Sequence, residues 1–194
     1  MTSSQNRHEY RAFARHFGLV EERLRQWGGE PLIRESAEVY LLSARSPDQN
    51  IKIRNDQLDI KQRIAENAGF EQWAPAGKWA FPLDDAARHA LSRALRLDQA
   101  VAASEAHDPD ALVSALCSNG REVVRVDLFK RRFGYEFDGC MSEYADVIIN
   151  GAALSTVCVE STELEAARQL VERLGLDQYP NTGYIAALMR VVAL

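Results

Sequence analysis

The chain has little of what most enzyme motifs are built from. Its 194 residues contain three cysteines and four histidines. Cys117, Cys140 and Cys158 are odd in number, widely spaced and without a C-x-x-C pair. That excludes a disulfide framework and a zinc knuckle, and points to free thiols in a reducing, cytoplasmic compartment. The histidines are scattered, His89 and His107 falling in or beside expected helices, so neither a metal cluster nor a His-based triad stands out. No Walker or dinucleotide-binding glycine pattern occurs. No run approaches the eighteen or so apolar residues of a membrane helix. The first residues, Met1 to Arg7, are polar and lack a signal peptide's apolar stretch. Excess positive charge is missing too: the formal net charge is −5, which argues against a nucleic-acid polymer as partner.

What is present is ordinary globular composition, 46% hydrophobic and 26% charged, enough for one domain over 1–194 with a sizeable core. Within it, cations recur at strand spacing. Ile51-Lys52-Ile53-Arg54 and Leu58-Asp59-Ile60-Lys61-Gln62-Arg63 alternate cleanly and flank Asn55-Asp56, a pair that tolerates a tight hairpin. Residues two apart on a strand share a face, so Lys52/Arg54, Lys61/Arg63 and Lys130/Arg132 each place two cations together. On the wet face of an open sheet these are merely solvated. If the sheet curls into a barrel, they converge on a cavity, where their desolvation needs a compensating anion such as a polyphosphate. On the third strand Lys130 and Arg132 share parity with Val124, Val126 and Leu128. Either a bulge resets the phase there, or Arg125, Asp127 and Arg131 face the cavity instead.

The remaining pattern is mixed. The segment around 9–17 reads as strand or helix. A helix is expected over 20–27, with Val20, Leu24 and Trp27 on one face and Gly28-Gly29 as a stop. A strand follows at 38–42. The segment 69–83, with Phe70, Trp73, Trp79, Phe81 and two prolines, reads as an aromatic-anchored connection. Helices over 84–97 and 108–117 form an inserted helical segment around 84–117, closed by Asn119-Gly120. Strands are expected over 122–137, broken near Gly134, then 143–149 and 154–160. A helix opened by a Thr162 to Glu165 capping box ends at Gly175, and a short helix spans 184–191. Glu143, Asp146 and Glu160 lie on consecutive strands, as oxygen ligands for a hard cation would.

In order and spacing these segments resemble the CYTH superfamily of triphosphate tunnel enzymes. Lys52-Ile53-Arg54 is similar to its basic-x-Arg strand, and Leu58 to Lys61 to the strand that ends in lysine. Lys130 to Tyr135 matches K-x-R-x-x-Y, Val157 to Glu160 resembles the E-x-E strand, and Thr182-Gly183-Tyr184 is similar to the terminal S-Y turn. The resemblance implies an α+β fold: an antiparallel eight-stranded tunnel barrel with helices packed outside. It implies a triphosphate, nucleotide or inorganic, held by Lys52, Arg54, Lys61, Arg63, Arg125, Lys130 and Arg132. Glu160, Asp146, Glu143 and Glu9 would hold Mg2+ or Mn2+, with Lys61 and Glu160 as catalytic groups. The activity would be metal-assisted hydrolysis or cyclisation; the alternative is a weakened relative that only binds or senses the nucleotide or polyphosphate. Three positions depart from the pattern: Arg11 stands for the middle acid of E-x-E-x-K, Phe13 for its lysine, and Cys158 for the first acid of E-x-E. Such losses weaken metal binding more than phosphate binding. A small anionic ligand is the expected partner, with no membrane contact, and a homodimer is an admissible assembly.

Overall fold

The computed structural model describes residues 6–118 and 122–194; the turn expected at Asn119-Gly120 lies outside them. Eight strands are described: β1 (His8–Ala14), β2 (Leu32–Leu42), β3 (Gln49–Arg54), β4 (Gln57–Asn67), β5 (Phe70–Ala80), β6 (Val124–Phe137), β7 (Cys140–Ile149) and β8 (Ala152–Ser161). They close into a barrel in the order β1-β5-β4-β3-β2-β6-β7-β8, with every neighbouring pair antiparallel. The β3–β4 turn holds Asn55 and Asp56 at φ of 50° and 52°, the two positive values that match hairpin twist. No helix of the described residues is long and apolar enough to cross a membrane.

Among the described residues five α-helices accompany the barrel: α1 (Leu19–Gly28), α2 (Asp85–Ala94), α3 (Pro109–Ser118), α4 (Leu164–Leu174) and α5 (Tyr184–Val191). Two outer faces are covered. Leu24 of α1 and Leu170, Val171 and Leu174 of α4 pack on Ala12, Val157 and Val159. Gly28 permits this, because a Cβ there would lie 2.4 Å from the Tyr135 ring. Leu91 of α2 and Leu112 and Leu116 of α3 pack on Ile51, Ile53, Leu58 and Ile60. The apolar half of the basic hairpin is therefore its outer face.

The last helix behaves differently. Tyr184, Ile185 and Leu188 of α5 pack with Tyr40, Leu42, Val126, Leu128, Val147 and Ile149, which all lie on the inner face, so α5 plugs one end of the barrel instead of lying outside it. Its entry is steered by backbone that the barrel leaves open. β1 pairs with β8 along its whole length but with β5 only at His8 and Glu9. The free Arg11 amide then donates to Asn181 Oδ1 (2.8 Å), and the Arg11 carbonyl accepts from the Thr182 amide (2.6 Å). Leu188 is fully buried in the plug. Leu188→Ala is expected to cost about 2–5 kcal/mol in a urea titration, because the cavity cannot collapse between α5 and the barrel wall.

Several expectations change. The segment read as a connection is strand β5; Pro75 sits opposite Lys61, beside a register shift at Ile60/Lys61 where its missing N–H is tolerated. β6 runs unbroken through Gly134, whose partner is Leu32. The capping box at Thr162 does not form: the helix begins after Glu163, whose amide donates to Ser161 Oγ instead.

Candidate functional site: a cationic tunnel

Strand register decides which residues face the lumen. Arg34 lies opposite Arg132, Ser36 opposite Lys130 and Tyr40 opposite Lys52. Lys52 pairs with Asp59, Lys130 with Val147, and Arg11 with Cys158, which in turn pairs with Glu143. All share the inner face. No bulge resets β6: Lys130 and Arg132 keep the parity of Val126 and Leu128 because the barrel is divided along its length. The apolar residues meet α5, and the cations begin where α5 stops.

At that boundary lies Glu38, a residue without a role in the sequence reading. Its side chain is 0% exposed, with Oε2 3.0 Å from Lys130 Nζ and 3.4 Å from Lys52 Nζ, and Oε1 3.2 Å from Arg54 Nη1. Ser36 Oγ donates to the same Oε1 (3.2 Å). Burial works to raise the Glu38 carboxyl, but Lys130, Lys52 and Arg54 together bring it down to about 2. Burial lowers Lys130 to about 7 despite the pull of Glu38, and lowers Lys52 as well. The Lys130 amine also donates to Tyr40 Oη (3.3 Å) and sits 4.0 Å from the Tyr184 ring centroid. One carboxylate thus holds three cations side by side and leaves the group positive.

Towards the open end the cations lose their partners. Arg63, which lies beside Ile185 and Met189 of α5, is engaged as well, donating to Glu71 Oε1 at 2.9 Å. Among the described residues, Arg34, Lys61 and Arg132 make no ion pair, and Arg132 Nε is buried without a hydrogen-bond partner. Arg34, Arg132, Glu143, Cys158 and Glu160 line a cavity of about 540 Å³ at this mouth, ample for a small ligand.

No protein-family model matches the chain, and no curated protein matches its sequence. Solved structures do match its shape. A Hippeastrum protein, an adenylyl cyclase candidate described with a dominant triphosphatase activity, superposes at a TM-score of 0.56 and 13% identity over 95% of this chain and 96% of that one. A conserved hypothetical protein of Pyrococcus furiosus gives 0.53 and 15% over 91% and 98%. An adenylate cyclase candidate of Bacillus halodurans gives 0.51 and 12% over 91% and 94%. The chain has the CYTH-like tunnel fold. At these identities the likeness is one of fold.

The CYTH-like tunnel places the expected site residues unequally. Lys52, Arg54, Lys61, Arg63, Lys130 and Arg132 share the inner face with Glu9, Glu143 and Glu160. Two residues are not brought to them. Arg125 is on the outer face of β6, paired with Asp127 at 2.8 Å. Asp146 is on the outer face of β7, accepting from Tyr144 Oη at 3.0 Å. Since Glu143 and Asp146 are three apart on one strand, they point to opposite faces.

On the inner wall, ligand atoms of Glu9, Cys158 and Glu160 lie within 4.8 Å of one another, the one group of three such donors among the described residues. Arg11 passes beside them. Its Nε donates to Glu9 (2.8 Å), its Nη1 approaches Glu143 (3.6 Å) and donates to Thr156 Oγ1 (3.4 Å), and its guanidinium stacks 4.5 Å over the Tyr184 ring. Burial opposes the Arg11 charge, but the groups around it, the Glu9 and Glu143 carboxylates among them, outweigh it and hold the guanidinium charged. Burial raises the Cys158 thiol well above its ordinary range, and raises Glu160 with help from the Glu9 charge. A hard cation such as Mg2+ takes oxygen donors in strict octahedral geometry. Here the third donor is a protonated thiol, Glu9 is committed to Arg11, and Glu143 is turned towards it. The donor set does not fit a magnesium cage.

Proposed function

We propose that the chain binds a triphosphate, as a nucleotide or as inorganic polyphosphate, in the open half of the tunnel. The observation that carries this is Arg132: an inward guanidinium with a buried, unpartnered Nε, opposite Arg34 on the neighbouring strand, which makes no ion pair among the described residues. A buried donor without a partner costs free energy, which a phosphate oxygen removes. Arg132, Arg34 and Arg54 offer planar two-point contacts, while Lys61, Lys52 and Lys130 act as point charges. Arg63 joins them by exchanging its Glu71 contact. An enclosed inner face suits a small anion and not a nucleic-acid polymer. The triphosphatase activity described for the Hippeastrum protein supports the same ligand class. A second reading is hydrolysis or cyclisation assisted by Mg2+ or Mn2+, with Lys61 and Glu160 as catalytic groups and the ion at the point where Glu9, Cys158 and Glu160 converge. Calorimetric titration with tripolyphosphate and ATP, each in EDTA and in Mg2+ or Mn2+, tests both. Saturable binding without turnover is the expected result. Metal-dependent release of phosphate or cyclic nucleotide establishes the second reading, and absence of binding in every condition removes the first.

The field of the site makes binding depend on pH. Lys130 is held near 7, so as pH rises through that value the tunnel loses a cation while Glu38, near 2, stays ionised. Affinity for tripolyphosphate should therefore fall by roughly tenfold between pH 6 and 8.5, a loss of about 1.4 kcal/mol. Lys130→Arg, which cannot discharge, separates this from the ligand's own titration. An identical pH slope in both proteins would exclude Lys130 as its source.

A further inference from the structure

We infer that the tunnel takes its polyphosphate as the metal-free anion, with the Arg11 guanidinium as the resident cation among the inner carboxylates. This rests on the proposed binding site and adds how its charge is balanced. Arg11 is 6% exposed in its side chain, and its contacts are those that a bound cation would claim: Glu9 on one side, Glu143 on the other, with Tyr184 closing the floor. Glu160 and Cys158 complete the surround: burial raises both groups, and the nearby Arg11 charge pulls each of them down against it. The guanidinium thereby meets the need for positive charge that a divalent ion meets elsewhere. It also repels a second cation from the Glu9, Cys158 and Glu160 group.

Arg11 retains capacity for a ligand. Its printed contacts use Nε and Nη1, and Nη2 makes no hydrogen bond among the described residues. A guanidinium has five donors, so a phosphate oxygen entering from the Arg132 side has an edge to meet. Lys61 shares the inner face, and its charge acts on Glu160, pulling down a carboxyl that burial raises. The ligand then spans fixed cations from Arg132 and Lys61 inward, and a chelated metal would only reduce its charge.

Two measurements on the wild-type protein decide the matter, and neither needs a variant to fold. Tripolyphosphate is titrated in EDTA and in excess Mn2+, and free Mn2+ is followed by electron paramagnetic resonance as ligand-free protein is added. The expected results are binding in EDTA at least as tight as in Mn2+, and no uptake of Mn2+ at submillimolar concentration. Uptake of one Mn2+ per chain, or tripolyphosphate binding at least tenfold tighter with metal, overturns the inference while leaving the tunnel as a phosphate site. Absence of tripolyphosphate binding in both buffers removes the proposed function and this inference together. Arg11→Gln adds a gain-of-binding arm: with the guanidinium gone, Glu9, Glu143 and Glu160 are uncompensated, and Mn2+ uptake should appear as metal-free affinity falls about tenfold. A folded Arg11→Gln that takes up no Mn2+ counts against the resident-cation role.

Discussion

Glu38→Gln should lose about 3–5 kcal/mol of stability and bind tripolyphosphate more tightly than the wild type. The two effects have one cause. Glu38 is fully enclosed and is the shared counter-ion of Lys52, Arg54 and Lys130. Its neutral replacement leaves these cations facing one another in a poorly solvated space, which raises the free energy of the folded state. A polyanion in the lumen then supplies the missing charge. Tripolyphosphate should therefore raise the melting temperature of the variant more than that of the wild type, since ligand stabilisation grows as RT ln(1 + [L]/Kd). The pH dependence has a matching sign. Folding depresses the Glu38 carboxyl from 4.5 to about 2, so its contribution is complete above pH 4.5 and is lost as pH falls through 2. That shift corresponds to on the order of 3 kcal/mol, which should vanish from the acid limb of the variant's stability curve. Urea titrations from pH 2 to 7 check both statements. A change below about 1 kcal/mol would mean that the carboxylate is not the hub of the cluster.

Arg132→Ala and Lys61→Ala are each expected to weaken tripolyphosphate binding by about 10–100-fold, the range for losing a charge-assisted contact of about 1.5–3 kcal/mol. Neither residue has an ion-pair partner among the described residues, so removing either leaves no carboxylate stranded and stability should hardly move. This separates them from Glu38. Arg125→Ala supplies the control on the opposite face of the same strand: it removes an exposed pair with Asp127 and should leave affinity within about twofold. If Arg125→Ala weakened binding as much as Arg132→Ala, general attraction of the surface for anions would explain the data better than a tunnel.

Much of this was readable in the chain. The alternation through Ile51 to Arg63 fixes a hairpin with one apolar and one basic face, and the apolar face does meet α2 and α3. The closed eight-stranded barrel is what the CYTH resemblance implies; the strand pattern alone leaves 9–17 open and reads β5 as a connection. What escaped depends on contacts distant in sequence. Lys130 and Arg132 share the parity of Val126 and Leu128 because α5 fills the barrel end and gives those residues an apolar lumen. β5 was obscured by Pro75, which survives because a register shift accommodates it. Glu38 looked like a strand's first residue, whereas β2 begins at Leu32 and carries Arg34, Ser36, Glu38 and Tyr40 inward at alternate positions. That alternation was a signal, hidden by the scarcity of apolar residues before Val39. For Asp146 the spacing from Glu143 already implied opposite faces. Arg11 registered only as a missing acid; its positive role required Glu9, Glu143 and Thr156 in one place.

The most direct test of the central claim is a calorimetric titration of tripolyphosphate, in EDTA near pH 7, into the wild type and into Arg132→Ala. One ligand should bind per wild-type chain, with affinity at least tenfold weaker in the variant. Equal affinity in the two proteins, or no binding by the wild type, would contradict a phosphate site inside the barrel.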